Sequence, residues 1–167
     1  MGGTGDTEFE EVFDRMFSRA MRVAYRVLGS PSAAEDVAAE ALARTYARWS
    51  RVRDLPHLDA WVLRVAGNLA IDEVRRKRVR AEPPAPIDPS DAITLRVSLG
   101  ATLRKLPRRQ RDVIVLRYLS GLSENETATA LGISLGTVRT HTTRALRSLR
   151  ERLGVDLNEG DPLASRA

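Results

Sequence analysis

The sequence predicts an all-α protein of two small helical domains joined by a proline-rich linker, the C-terminal domain being a helix-turn-helix. Three observations carry that expectation. Apolar residues recur at three- and four-residue spacing along most of the chain, the period of an amphipathic helix. Residues 81–90, AEPPAPIDPS, hold four of the eight prolines, so this stretch reads as an extended, semi-rigid tether and not as helix. Near the C-terminus, Ser123 with Glu126 three residues on forms a capping-box pattern, Gly132 marks a tight turn and Ser134 is placed to cap a second helix. Two helices joined by a short glycine-bearing turn are the helix-turn-helix signature.

The first helix is expected from Phe9 to Leu28, with Phe9, Val12, Phe13, Met16, Ala20, Val23, Ala24 and Val27 on one side and Gly29 ending it. Ser32 with Glu35 reads as a capping box for the next helix, which carries Val37, Ala38, Ala41, Leu42, Thr45, Tyr46 and Trp49. Its opposite face shows Asp36 and Glu40 early and Arg44 and Arg48 late, the order the helix dipole prefers. Pro56 then breaks the chain ahead of WVLRVAGNLAIDEVRRKRVR, residues 61–80.

On a helix, Val62, Leu63, Val65, Ala66, Leu69, Ala70 and Val74 of that stretch gather into one apolar arc that should face inward. Arg64, Asn68, Asp72 and Arg75 line the opposite arc, with Trp61 and Ile71 among them and therefore expected outward. Beyond Asp72 the two-sidedness fades, and Arg75, Arg76, Lys77, Arg78 and Arg80 point nearly all round. Such an end either complements its own dipole in water or projects into a field of negative charge.

After the tether, Ala92 to Leu103 suggest a helix that stops before Pro107, with Gly100 a weak spot. Pro107 suits the first turn of another helix, RRQRDVIVLRYL. A short helix to Leu131 and a longer one from Ser134 to about Leu153 follow. On the longer helix, Leu135, Val138, Thr142, Ala145, Leu146, Leu149 and Leu153 form the buried arc. Gly136, Arg139, Thr140, Thr143 and Arg144 lie opposite, with His141 at the border. Short polar side chains flanked by arginine on the N-terminal half of a second helix suit reading of a DNA major groove.

Composition agrees with a polyanion as partner. The net charge of +5 is unevenly spread, with basic blocks at 61–80 and 104–152 in an acidic background. All of the 27 basic residues except Lys77 and Lys105 are arginine, the residue suited to bidentate phosphate and guanine contacts. The absence of cysteine excludes disulfides and thiolate metal sites and favours a reducing compartment. No apolar run reaches membrane-spanning length, so no membrane insertion is expected, and the start MGGTGDTEFEE is acidic where a signal peptide would be basic. A cytoplasmic location is expected. The opening GGTG follows no strand and leads to no Gly-Lys-Ser/Thr, so it is not a phosphate loop. His57 and His141 are too isolated for catalysis or metal binding, and neither an enzyme, a metal site nor a cofactor is expected.

Together the two basic helices and the tether resemble the sigma factors of bacterial RNA polymerase, specifically the small extracytoplasmic-function group of the sigma-70 family. Residues 33–49, AAEDVAAEALARTYARW, look like the segment that binds the polymerase clamp. Residues 60–78, AWVLRVAGNLAIDEVRRKR, look like the segment that melts and reads the −10 element, and residues 106–146 look like the helix-turn-helix that binds the −35 element. The chain departs from the usual pattern at Ala39, at Gly67 and at Thr127, where an aliphatic residue is usual. Gly67 is expected to loosen its helix by up to about 1 kcal/mol relative to alanine.

The resemblance implies domains at 1–80 and 91–167 with a linker at 81–90, and three sets of site residues. Core polymerase would be bound by Asp36, Val37, Glu40, Leu42 and Tyr46. The −10 element would be met by Trp61, Arg64, Asn68, Asp72, Arg75, Arg76 and Arg78, with Asp72 orienting a nearby arginine. Ser134, Thr137, Arg139, Thr140, His141, Thr143 and Arg144 would meet the −35 element. Partners would be core RNA polymerase, promoter DNA and an anti-sigma factor. Taken alone, the C-terminal half with its VRTH motif is equally similar to a LuxR-type output domain, the alternative being a stand-alone helix-turn-helix regulator. The 61–80 helix and the 36–40 segment have no counterpart there. An adaptor using its N-terminal helices only for protein contacts is a further alternative.

Overall fold

The computed structural model describes residues 4–80 and 92–153, and every regular element among them is helical. The expected tether, residues 81–90, lies outside the described residues. Helix α1 runs Thr4–Leu28 and ends at Gly29, whose positive φ of 65° lets its N–H reach the Tyr25 carbonyl at 2.8 Å. Helix α2, Pro31–Tyr46, starts earlier than expected. Ser30 is its cap, accepting from the Ala33 N–H, and Pro31 occupies the first turn. Proline has no N–H to satisfy there and its φ is already helical, so this pair displaces the expected Ser32–Glu35 box. Trp49 is not on α2. It opens a separate single turn, α3 (Trp49–Val52), and sits edge-on to Phe9 with ring centroids 5.4 Å apart.

Helix α4, Leu58–Arg80, packs on α1 and α2. Where the three meet, Ala20, Ala38, Ala41 and Ala66 have no exposed surface. Methyl-sized side chains there let the helix axes approach toward the short end of the usual 8–10 Å, roughly. Asp59 in the first turn of α4 accepts from Arg15 at 2.8 Å and Arg19 at 2.7 Å, fastening that end to α1.

The second half comprises α5 (Ala92–Lys105), α6 (Arg108–Ile114), α7 (Glu124–Leu131) and α8 (Leu135–Leu153). Pro107 stands one position outside α6 as its cap. The single helix expected over RRQRDVIVLRYL instead passes into a π-helical turn, Val115–Leu119, in which the Ser120 N–H bonds the Val115 carbonyl five residues back. The wider turn draws Val115, Leu116, Arg117 and Leu119 into the interior together, which 3.6-residue periodicity cannot do.

The two halves pack on each other. One continuous core includes Met16, Val27 and Leu42 of the first half and Leu103, Val113, Leu116 and Val138 of the second. Ile71, expected to face outward, has no exposed surface. The reason is that α4 is covered twice, by α1 and α2 on one side and by α5 and the π turn on the other. Gly67 is the point of closest approach: a Cβ there would lie 2.4 Å from Cγ1 of Val115. Gly100 of α5 has the same role toward α4, where a Cβ would lie 2.7 Å from Cγ2 of Val74.

Candidate nucleic-acid interface

Two helices present arginine outward. Ahead of α8, the capping box at Ser123 and Glu126 forms in both directions, with bonds of 2.7 and 3.2 Å, and fixes the start of α7. The backbone N–H of Ser123 bonded to Glu126 holds that carboxyl below its usual range, since the charged form is the one that accepts. Gly132 adopts φ 62° and turns the chain into Ser134, whose hydroxyl accepts from the Thr137 N–H at 3.1 Å. Val138, Thr142, Ala145 and Leu149 are buried beneath α8. Gly136, Arg139, Thr140, Thr143 and Arg144 are exposed together on the opposite face, with Ser134 at its start. Thr137 and His141 are half-buried at the edge of this face.

Arg139 is held across the motif by Glu124 of α7, Nε to Oε2 2.8 Å. Sequence reasoning missed Glu124, because the pair is fifteen residues apart and forms only once the turn has closed. The Thr140 hydroxyl donates to the Gly136 carbonyl and the Ser134 and Thr137 hydroxyls share a 2.8 Å bond, so the short polar side chains are ordered.

The outer face of α4 divides in two. Asp72, Arg75 and Arg76 are exposed, whereas Trp61, Arg64 and Asn68 are half-buried. Among the described residues, the carboxylate that meets an arginine of this stretch is Glu73, 3.4 Å from Arg76. The side chain of Arg78 lies outside the described residues. Trp61 and Arg64 line a half-open cavity of about 350 Å³, whose other lining includes Leu116 and Thr129 to Gly132. The Asn68 amide donates to the Arg64 carbonyl at 2.9 Å and to Oδ1 of Asp112, on α6, at 3.0 Å.

On α2, Asp36, Glu40 and Tyr46 are exposed. Glu40 accepts from Arg44 at 2.7 Å, and the Tyr46 hydroxyl donates to Asp6 at 2.9 Å. That bond and the negative charge of Asp6 raise the Tyr46 phenol above its ordinary pKa. Val37 and Leu42 are not surface residues: Leu42 has no exposed area and Val37 is buried beside it. They hold α2 in place and leave direct contact to their polar neighbours. An aromatic row unforeseen as a unit, Phe17, Phe13, Phe9 and Tyr46, runs beside this face, with Phe13 stacked on Phe17 at 5.3 Å. Its signal was the four-residue spacing of the phenylalanines in α1.

Comparison with known proteins decides between the rival readings. Residues 12–80 match the family described as Sigma-70 region 2, and residues 96–149 match Sigma-70, region 4. The chain belongs to the sigma-70 family. The RNA polymerase sigma-E factor of Streptomyces coelicolor is 38% identical over 152 residues, which are 87% of this chain and 86% of that one. ECF RNA polymerase sigma factor SigW of Bacillus subtilis is 30% identical over 170 residues, 89% of this chain and 91% of that one. These relatives place the chain in the extracytoplasmic-function group. Among solved structures, CnrH in complex with the cytosolic domain of CnrY matches with a TM-score of 0.53 at 25% identity, over 89% of this chain and 88% of that one. The region 2 match ends with α4 and the region 4 match opens within α5 and ends at residue 149, so all of α4 and α8 up to Leu149 fall inside recognised regions of this sigma-70 chain. A stand-alone LuxR-type regulator is not favoured, since it has no equivalent of region 2. Among the described residues no helix is long and apolar enough to cross a membrane, and no group of histidine, aspartate and glutamate could hold a metal.

Proposed function

We propose that this sigma-70 chain docks on core RNA polymerase through its N-terminal helices and directs initiation at promoters read by α4 and α8. The observation that supports this most is the pairing, on one chain, of region 2 and region 4 matches with two separate helices that carry arginine outward. The role is non-catalytic: the chain supplies recognition and the polymerase the chemistry.

Asp36, Glu40 and Tyr46 offer the clamp an exposed acidic and aromatic surface. Trp61, Arg64 and Asn68 are suited to hold an unstacked base by stacking, cation contact and amide hydrogen bonds, each stacked base contributing roughly 1–3 kcal/mol. Arg75, Arg76 and Arg78 take phosphates. Arg139 and Arg144 reach guanine edges or phosphates in the major groove, while Ser134, Thr137, Thr140 and Thr143 supply short hydroxyls at the helix start. His141, half-buried, supports the edge of that face. In this reading residues 1–80 and 91–167 act as two domains and 81–90 as their strap. A regulatory protein that covers this surface, as the cytosolic domain of CnrY accompanies CnrH, completes the set of partners.

Run-off transcription with core polymerase and genomic fragments, followed by mapping of the start sites, tests the proposal. Discrete starts that depend on this chain are expected. Failure to co-migrate with core enzyme would reduce it to an ordinary operator binder.

A further inference from the structure

We propose that Glu124, in the first turn of α7, is a positioning residue that aims Arg139 at a base edge and keeps it off the phosphate backbone. The proposal rests on the reading of α8 given above and sharpens it: Arg139 reads a base, and Arg144 takes a phosphate. What separates the two arginines is how each is held. Both are exposed on the same face of α8. Arg139 donates from Nε to Oε2 of Glu124 at 2.8 Å, whereas Arg144 has no hydrogen bond or ion pair among the described residues.

A guanidinium carries five N–H donors in a rigid plane. With Nε engaged by the carboxylate, the terminal edge bearing Nη1 and Nη2 makes no other bond among the described residues and is left for the paired acceptors O6 and N7 of a guanine. The Arg139 side chain is 65% exposed, so untethered it would sample many rotamers. Held by Glu124, it is ordered before DNA arrives, an advantage of about 2- to 12-fold in affinity for one immobilised long side chain. The local structure does not need Glu124. Ser123 and Glu126 already complete the capping box of α7, and an ion pair this exposed adds little to the stability of the fold. On DNA the carboxylate acts in a second way. It repels phosphate whatever the base sequence, and an Arg139 that swung to the backbone would leave it without its partner, so the wrong contact is penalised as well as the right one favoured. The neighbouring hydroxyls are engaged within α8 and its cap, Thr140 with the Gly136 carbonyl and Ser134 with Thr137, which leaves Arg139 as the strongest reader of this face.

Holoenzymes carrying the wild-type chain, Glu124→Ala, Arg139→Ala or both substitutions would be titrated, at fixed salt, onto a promoter mapped with the wild-type chain and onto every single-base change in its −35 element. The wild type should discriminate by about 5- to 150-fold at the base pair Arg139 reads. Glu124→Ala should reduce that preference about 2- to 12-fold at that pair alone. It should also raise the slope of log K against log salt by about 0.9 as Arg139 gains a phosphate, and tighten binding to random-sequence duplex. In the Arg139→Ala background, Glu124→Ala should alter preference no further. An even loss of preference across the −35 element, with reduced helicity by circular dichroism, would make Glu124 a support of α7 and overturn the proposal. So would an unaltered salt slope, or an unchanged preference at the pair where Arg139→Ala relaxes it, and either result would leave the reading of α8 standing. If Arg139→Ala itself changes no preference, the base-reading assignment of Arg139 falls, and the role of Glu124 with it.

Discussion

Removing the charge of Arg75 and Arg76 should lower the salt dependence of promoter binding by the holoenzyme. Both side chains are exposed at the end of α4, outside the core shared by the two halves, so their loss leaves that core intact. Each phosphate contact contributes about 0.9 to the slope of log K against log salt on duplex DNA and about 0.7 on single strands. Two contacts therefore amount to a slope change of about 1.4–1.8, or about 7- to 12-fold in affinity across a fourfold rise in salt. The ion pair of Arg76 with Glu73 does not cancel this, because at 3.4 Å with the arginine well exposed it is worth at most about 1 kcal/mol and yields to a phosphate. Filter binding or fluorescence anisotropy of wild-type and Arg75→Ala/Arg76→Ala holoenzyme, over about 50 to 200 mM salt in roughly twofold steps, measures both slopes. Parallel lines would refute the phosphate role and leave these arginines as a solvated helix end.

Three other outcomes are expected. Arg139→Ala should weaken binding by about 1–3 kcal/mol and relax preference at a single −35 position, as a panel of single-base promoter variants would reveal. Thr127→Val should raise the melting temperature, because the Thr127 hydroxyl is buried without a hydrogen-bond partner; a gain of about 1 kcal/mol would appear in thermal denaturation as about 2–4 °C. Glu126, whose carboxyl is held low by the Ser123 N–H, should stabilise α7 fully above the ordinary carboxyl value of about 4.3 and lose that effect as pH falls through its lower folded value. Denaturant melts of Glu126→Ala and wild type should therefore differ at pH 7 and converge in acid.

What was legible in the sequence was local. The cap of α7, the left-handed Gly132 and the start of α8 are each determined within four residues, and they form as expected. The burial of Val138, Thr142, Ala145 and Leu149 followed from spacing alone. What was not legible depends on residues far apart. Ile71 has polar neighbours along α4 and reads as a surface position until a second layer covers it. Gly67 reads as a weakness of α4 until Val115, forty-eight positions on, is seen to fill its place. Asp112 sits in an ordinary charged helix start, and only the fold brings Asn68 to it. The π turn escaped notice because VLRYL is compatible with α-helix, and its extra residue is justified only by what it buries. For the proposed DNA interface, the exposure of Arg75, Arg76, Arg139 and Arg144 was readable, but the division of α4 into a covered and an open portion was not.

The double covering of α4 also bears on how promoter engagement is coupled to polymerase. Separating the two halves exposes Ile71, Val115 and Leu116, which are essentially fully buried when the halves are closed. Side chains of this kind lose about 1.5–3 kcal/mol each when burial is lost completely. Rehydration of Asp112 and Asn68 returns part of that cost. The remainder has to come from contacts made only in the open form. Docking of Asp36, Glu40 and Tyr46 on the polymerase cannot by itself supply it, since this face of α2 is already accessible in the closed chain. The differential must come from surfaces hidden between the halves, Trp61 and Arg64 above all, or from separate placement of α8 on DNA. A ligand that binds closed and open forms equally shifts nothing, so the gain from polymerase depends on its holding the two halves apart, with promoter DNA taking up the face that opens.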